Sequence, residues 1–337
     1  MIDYILIIPI LTSFFVTLFL LPFWIKKTNE LGLVWRDMNK LSNWEKISGS
    51  GGVIAVLGFT IGVLIYVAYR VFYLGNYNSH LVEIFALLSV TLILAGIGFI
   101  DDLFGWRKGG LSKKSRIILV LLSSVPLIAI NAGKSIVNFP FFGIIDLGNV
   151  YPLIFIPIGV LGATTTYNFL AGFNGLEAGQ GIILLGALGI VAFFMQNSWL
   201  SVICLCMAAA LAAFLTFNFF PAKVFPGDVM TYPVGGLIAI IAILGDFEKI
   251  AIFFFIPYAL EVGLKLRGKL IRQSFSRPHD TGIDLRYDKI YSLNHLAIYL
   301  MKRAGIKPGE KKTVFAIWAF QLLIILIGFV IFRKGIF

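Results

Sequence analysis

Ten stretches of this chain are apolar enough, and long enough or nearly so, to cross a bilayer, and that repetition leaves few folds open. They lie roughly at 4–25, 50–73, 82–100, 117–131, 151–169, 180–196, 199–218, 229–245, 250–266 and 314–332. A helix crossing a hydrocarbon core about 30 Å thick needs about 20 mostly apolar residues. The runs are rich in Leu, Ile, Phe, Val and Gly without strand-like alternation, so helices that satisfy their own backbone hydrogen bonds are expected, not a barrel. Composition agrees: 59% of the residues are hydrophobic, 13% are charged and mean hydropathy is +0.92, outside the range of soluble domains. The expectation is an all-α integral membrane protein, a polytopic bundle of about ten transmembrane helices in a single membrane-embedded domain over 1–337. The first run begins without a basic leader or a small-residue cleavage motif and reads as a retained span.

Charge sets the orientation. Of 28 Lys and Arg residues, 23 fall in connections 26–49, 101–116, 219–228 and 265–313. All are odd-numbered loops, so the positive-inside rule puts them in the cytoplasm and both termini outside. The other five are Arg70, Lys134, Lys249, Arg333 and Lys334. The net charge of +11 reads first as topology and second as attraction for anionic lipid or phosphorylated substrates. No nucleic-acid partner is expected. Cys204 and Cys206 would point to different faces of one helix, as packing residues, and His80, His279 and His295 lack the spacing of a zinc site.

Four stretches on the cytoplasmic side carry polar residues that a turn does not require. GFIDDLFGWRKGGLSKKSR (98–116) places Asp101 and Asp102 directly after the third run. NFLAGFNGLEAGQG (168–181) interrupts two runs with asparagines and glycines. FNFFPAKVFPGDVM (217–230) puts Asp228 after Gly227, and IRQSFSRPHDTGIDLRYDK (271–289) is basic with His279 and several acids. In a compact bundle the four could meet in one cleft. Carboxylates and amides supply the hard oxygens that Mg²⁺ prefers, and neighbouring cations neutralise phosphate, a combination that suits phosphoryl-group transfer. Each element also has a plainer reading. The Asp101–Asp102 pair could end a solvated helix, the glycines could serve helix packing, Lys113, Lys114 and Arg116 could only mark topology, and Asp228 could cap a helix. Glu83 and Glu261 receive no role.

With these motifs in order, the chain resembles the polyprenyl-phosphate N-acetylhexosamine-1-phosphate transferases, a family of ten-helix membrane enzymes that includes bacterial phospho-MurNAc-pentapeptide translocase. Its loop 168–181 is similar to the eukaryotic and archaeal branch, the UDP-GlcNAc:dolichyl-phosphate GlcNAc-1-phosphotransferases. FFPAKVFPGD, the DD-to-KK loop, DMNK (37–40) and NHLAIYLMKRAGI extend the likeness over the whole chain. The resemblance implies Mg²⁺, with Mn²⁺ as an alternative, on Asn168 and Asp228. It implies Asn174 on the uracil edge, Phe225 stacked on the base, Gly172 at a close backbone contact, Lys114 on a phosphate, and Arg272 and Arg277 on the pyrophosphate. Asp101 and Asp102 correspond to an acidic pair needed for catalysis, so Asp101, Asp102 and Asp228 are the catalytic expectations. Departures fall at Gly105, where relatives often carry a polar residue, at Gly49 in place of a glutamate, and at Ser274 in place of an arginine.

The activity so implied is transfer of a sugar 1-phosphate, foremost GlcNAc-1-phosphate, from a UDP-sugar to a polyprenyl phosphate, with release of UMP, as the first membrane step of a glycan assembly pathway. A UDP-muramic-type donor is the runner-up. A nucleotide-sugar or lipid-linked-sugar transporter is the rival from another class, but transporters place binding residues near the midplane and often show repeats, whereas these motifs share one face. The short outer loops favour a prokaryotic plasma membrane, archaeal by preference. Dimers occur among relatives, which leaves a homodimer open.

Overall fold

Proline and polar punctuation decide which apolar runs become single helices. The computed structural model describes residues 4–41, 46–75, 80–139, 143–280 and 282–336. In chain order the α-helices are α1 (Ile7–Leu31), α2 (Gly52–Ala68, continued by a π-helical turn Tyr69–Tyr73), α3 (Leu81–Lys108), α4 (Lys113–Ser123), α5 (Val125–Ala129), α6 (Ile156–Phe169, preceded by a π-helical turn Tyr151–Phe155), α7 (Leu176–Phe194), α8 (Ser198–Asn218), α9 (Asp228–Leu244), α10 (Glu248–Phe254), α11 (Ile256–Arg267), α12 (Leu293–Arg303), α13 (Glu310–Ile331) and α14 (Arg333–Ile336). Among the described residues three two-stranded antiparallel pairs decorate the ends: β1 (Val34–Arg36) with β2 (Lys46–Ser48), β3 (Ile136–Phe139) with β4 (Gly143–Asp146), and β5 (Arg277–His279) with β6 (Gly282–Asp284).

Among the described residues seven helical stretches are long and apolar enough to cross a membrane, and α9 is a shorter apolar helix. The expected ten therefore stand as seven by this measure. Two expected runs are broken: 117–131 divides into α4 and α5 before Pro126, and 250–266 divides into α10 and α11 before Pro257. A proline lacks the N–H for the next helical bond and clashes with the carbonyl four residues back, so a helix restarts there. The third run gains length, because α3 carries Asp101 and Asp102 inside its last turns.

The core lies where α7, α8 and α9 meet, with Leu184, Leu188, Ile203, Leu211, Leu237 and Ile241 all fully buried. Apolar side chains of α1 and α13 such as Phe15, Phe23, Leu326 and Val330 face outward, as lipid-facing residues do. Cys204 and Cys206 are both buried and unpaired, as packing residues should be. α3 and α9 cross closely: a Cβ on Gly98 would lie 2.3 Å from the Asp228 carbonyl oxygen. That crossing brings the end of α3 against the beginning of α9.

Candidate active site

The polar stretches meet around one cavity of about 490 Å³. It is lined by Trp35, Arg36, Asp37 and Met38 of the first loop, Ser50, Asp102 of α3, Asn168 to Glu177 in part, Asn218, Phe225 to Asp228, Thr231, Gln273 and Phe275. Asp102, Asn168, Gly172, Asn174, Phe225 and Asp228 of the expected set therefore share one space.

Asp228 opens α9, and the group that caps this helix comes from elsewhere. Asp102 Oδ1 accepts from the Asp228 N–H at 2.8 Å, and Oδ2 accepts from Val229 N–H at 3.3 Å. Gly227, at φ +71°, leaves room for this, since a Cβ there would sit 2.1 Å from Asp102 Oδ2. An acidic cap at a helix N-terminus satisfies orphan donors and suits the helix dipole. One turn on, the Thr231 hydroxyl donates to Asn168 Oδ1 at 3.1 Å, so the end of α6 is registered against the start of α9. Asn168 and Asp228 thus line the same cavity from adjacent helices.

Asp101 has a different environment. It is buried and does not line the cavity. It forms an ion pair with Arg116, whose Nε lies 2.6 Å from Oδ2, and its oxygens accept from an Arg116 Nη2–H at 2.9 Å, the Leu111 N–H at 2.7 Å and the Tyr232 hydroxyl at 3.1 Å. A carboxylate so engaged fastens the 109–116 loop to α3 and α9. Of the acidic pair expected for catalysis, Asp102 lines the cavity and Asp101 lies behind it. The Asp228 carboxyl interacts electrostatically with Asp102, Asp101 and Arg116. Arg116 pairs with Asp101 alone among these acids, so among the described residues Asp102 and Asp228 stand close together at the cavity wall without a cation bonded to either.

The loop between α6 and α7 is pinned by residues that carry no role in the sequence reading. Asn39 Nδ2 donates to the Gly172 carbonyl at 2.5 Å, while its Oδ1 accepts from the Ser276 N–H and hydroxyl, both at 2.9 Å. Asn294 Nδ2 donates to the Ala171 and Ser274 carbonyls. Glu177 Oε1 accepts from the Gly172 N–H at 3.0 Å, and Glu310 Oε1 from the Asn174 N–H at 2.9 Å. The Asn174 amide donates to Asp37 Oδ2 at 3.1 Å, and Lys40 pairs with the same oxygen at 2.9 Å. At φ +103° Gly172 turns the chain so that it packs on the Phe275 ring, 3.1 Å from where a Cβ would be. Phe225 is held in an extended segment: its N–H donates to the Ser48 carbonyl and its carbonyl accepts from Gly51. The DMNK and NHLAIY motifs were the available signals for Asp37, Asn39 and Asn294.

Two departures in the sequence share one cause. A Cβ on Gly49 would fall 2.4 Å from Trp35 Cδ1, and one on Gly105 3.3 Å from Trp35 Cη2. The glycines seat the Trp35 indole from both ends, and Trp35 forms part of the cavity wall.

The basic expectations fall outside. Lys114 is exposed on the first turn of α4, Arg277 is exposed in β5, and Arg272 is exposed with its guanidinium over the Tyr287 and Tyr291 rings at 5.0 and 5.8 Å. None lines the cavity, to which that last loop contributes Gln273 and Phe275. Lys265 bonds the Ser274 hydroxyl at 2.5 Å, and Glu261, unassigned in the sequence, accepts from the Leu293 N–H at 2.6 Å to cap α12. His295 Nε2 lies 3.1 Å from the Phe275 carbonyl, and burial lowers the pKa of its imidazole. The neutral ring with hydrogen on Nε2 donates there and accepts the Tyr291 N–H at Nδ1.

Among the described residues no three of His, Cys, Asp and Glu cluster as a metal site. The donor set for a hard cation here is instead one amide oxygen and one carboxylate. Asn168 Oδ1 keeps a second lone pair beyond its Thr231 bond. Mg²⁺ commonly takes only one or two protein carboxylates and completes its shell with water and substrate phosphate, so the residues present fit such an ion.

Comparison with known proteins shows what the chain is similar to. The family model described as glycosyl transferase family 4 matches residues 84–246. A Saccharolobus solfataricus protein provisionally named a UDP-N-acetylglucosamine–dolichyl-phosphate N-acetylglucosaminephosphotransferase is 32% identical over 328 residues, covering 97% of this chain and 96% of its own. A Sulfolobus acidocaldarius protein of the same provisional name is 30% identical over 331 residues, 96% and 95% of the two chains. The phospho-N-acetylmuramoyl-pentapeptide-transferase of Halalkalibacterium halodurans is 30% identical over 292 residues, 80% of this chain and 87% of its own.

Proposed function

Because this chain belongs to glycosyl transferase family 4, we propose that it transfers N-acetylglucosamine 1-phosphate from UDP-N-acetylglucosamine to a polyprenyl phosphate of the dolichyl type, releasing UMP. The observation that carries this reading is the single cavity into which Asn168, Asn174, Phe225 and Asp228 all open. The Phe225 ring stacks on uracil and the Asn174 amide meets its polar edge, with Gly172 giving the close backbone approach. Asn168 and Asp228 face the pyrophosphate. Mg²⁺, or Mn²⁺ in its place, would be held by these two residues and would offset charge on the pyrophosphate oxygens.

The acceptor comes from the bilayer. An apolar groove of about 500 Å³ runs between α6, α9 and α10, lined by Gly159, Gly162, Ala163 and Thr166 against Ile238, Ala242 and Phe255. Thr166 lies just before Asn168, so a polyprenyl chain in the groove would deliver its phosphate toward the cavity. The acceptor oxygen attacks the β-phosphorus in line, the bond to the UMP oxygen breaks, and UMP leaves. A phosphate monoester is already largely ionised at neutral pH, with a second pKa of about 6, so no general base is required. Asp101 positions, Asp102 caps α9, and most of the rate comes from placement and charge. Lys114 near the acceptor phosphate, and Arg272 and Arg277 near the pyrophosphate, remain part of the reading, although none lines the cavity.

The same reading has ten crossings, formed by the seven long spans, α9, and the broken pairs α4–α5 and α10–α11. Basic loops at the cavity end support a cytoplasmic site with both termini outside, in an archaeal plasma membrane. A UDP-muramic-type donor is the second reading, favoured by the similarity to the bacterial pentapeptide transferase. Purified protein given a panel of UDP-sugars, a short polyprenyl phosphate and Mg²⁺ tests both. UMP release from UDP-N-acetylglucosamine that requires lipid and metal together is expected; release without lipid, or none with any UDP-N-acetylhexosamine, refutes the proposal.

A further inference from the structure

Arg70, one of the basic residues that the charge pattern leaves outside the cavity-side loops, lies at the other end of the bundle. α2 begins at Gly52, whose N–H bonds the Pro226 carbonyl beside the cavity, and Arg70 follows about 27 Å further along at about 1.5 Å per residue. It sits in the π-helical turn Tyr69–Tyr73, and such wide turns recur at functional sites. The side chain is only 6% exposed. Its partner is Tyr66, with the hydroxyl at 3.5 Å and the guanidinium 5.7 Å from the ring centroid. Among the described residues no carboxylate lies within ion-pairing distance of it. A buried cation without a counter-charge is costly, and evolution tolerates one where an anion visits.

A second observation is independent of Arg70. Trp199, on the first turn of α8, is 6% exposed and its indole N–H is buried without an acceptor. Arg70 and Trp199 line one cavity of about 280 Å³, together with His80, Gln196 and Ser198. The His80 ring stacks on the Trp199 indole with centroids 4.8 Å apart. The Arg70 guanidinium, bonded only to Tyr66 among the described residues, and the Trp199 indole thus border one space, slightly smaller than the lower limit of about 300 Å³ for small-ligand sites.

We propose that this cavity binds a phosphate-type oxyanion at the membrane face opposite the active site, with Arg70 and the Trp199 indole N–H as its donors. Leu6, Tyr66, Tyr69 and Leu74 complete the lining, and Phe72 and Tyr73 stand exposed beside it at 87% and 69%. That apolar rim suits a phospholipid headgroup; inorganic phosphate offers the same chemistry from solution.

Thermal unfolding of the full chain in neutral detergent tests this with phosphatidylglycerol, phosphatidylcholine or inorganic phosphate added. Phosphatidylglycerol is expected to raise the wild-type midpoint and phosphatidylcholine is not. A response to inorganic phosphate as well assigns the site to free oxyanions; a response to phosphatidylglycerol alone assigns it to lipid. Arg70→Met should weaken the apparent affinity at least about tenfold, the loss expected of a charge-assisted bond, while leaving the ligand-free midpoint unchanged or higher. Trp199→Phe keeps the ring, removes the donor, and decides the matter if Arg70→Met does not fold. No anion response in the wild type, equal responses in wild type and variants, or equal destabilisation of Arg70→Met with and without anion would overturn the proposal, the last by making the guanidinium a structural partner of Tyr66.

Discussion

Replacing Asp102 separates a capping carboxylate from a reacting one. Asp102→Ala removes the acceptor of two N–H groups, those of Asp228 and Val229 at 2.8 and 3.3 Å. Losing an acidic N-cap costs about 0.5–2 kcal/mol, and bonds to a charged acceptor contribute about 1.5–3 kcal/mol, so about 2 kcal/mol is expected locally. At about 1.4 kcal/mol per factor of ten, the first turn of α9 should open about 30-fold more often. Asp102→Asn keeps one carbonyl acceptor and loses the charge, so about half that cost is expected. Deuterium exchange of a peptide covering 225–232 reads the opening directly. Activity should follow the same order, with Asp102→Ala about 10²-fold down because Asp228 is displaced, and Asp102→Asn between it and wild type. An Asn variant that keeps wild-type exchange but is as inactive as the Ala variant would show that the carboxylate acts in the chemistry and is not chiefly a cap.

Four further outcomes follow from the site. Asp228→Asn should lower UMP release by about 10²-fold or more, as for loss of an electrostatic contribution of about 3 kcal/mol; near-normal turnover would remove Asp228 from the reacting centre. Phe225→Ala should weaken nucleotide binding about 3- to 10-fold, the range for losing an aromatic stack, and a loss confined to acceptor affinity in steady-state kinetics would contradict the role. Asn39→Ala should raise the KM for the UDP-sugar more than it lowers kcat, because it frees the Gly172 carbonyl and Ser276 N–H without touching α9; an unchanged KM would deny that Asn39 sets the loop. His295 is held neutral by burial, so its contribution to stability is present above the ordinary imidazole pKa of about 6.5 and is lost as pH falls through the lower folded-state value. Unfolding midpoints should drop on acidification in the wild type more than in His295→Gln, and superimposable profiles would refute this.

Legibility in the sequence divides along a physical line. Seven spans and the cavity-side loops are written locally, as apolar length and as polar residues at the ends of apolar runs. Asn168, Asn174 and Asp228 therefore stand out in the chain as polar residues, while their roles and that of Phe225 come from the family resemblance and not from local pattern. The division of labour within the Asp101–Asp102 pair does not, because adjacent helical residues point about 100° apart and their partners are remote. Asp101 finds Arg116 15 residues on, whereas Asp102 finds the Asp228 amide 126 residues on, across the α3–α9 crossing that Gly98 permits. The same holds for Asn39, whose contacts at Gly172 and Ser276 lie 133 and 237 residues away. Basic side chains are the hardest to place. Arg272 carries the charge that a pyrophosphate would favour, yet its guanidinium lies over Tyr287 and Tyr291, and no periodicity in a loop decides between those partners. A long cation goes to whichever acceptor or ring folding brings within reach, so its direction is a property of the assembled site and not of its neighbours in the chain.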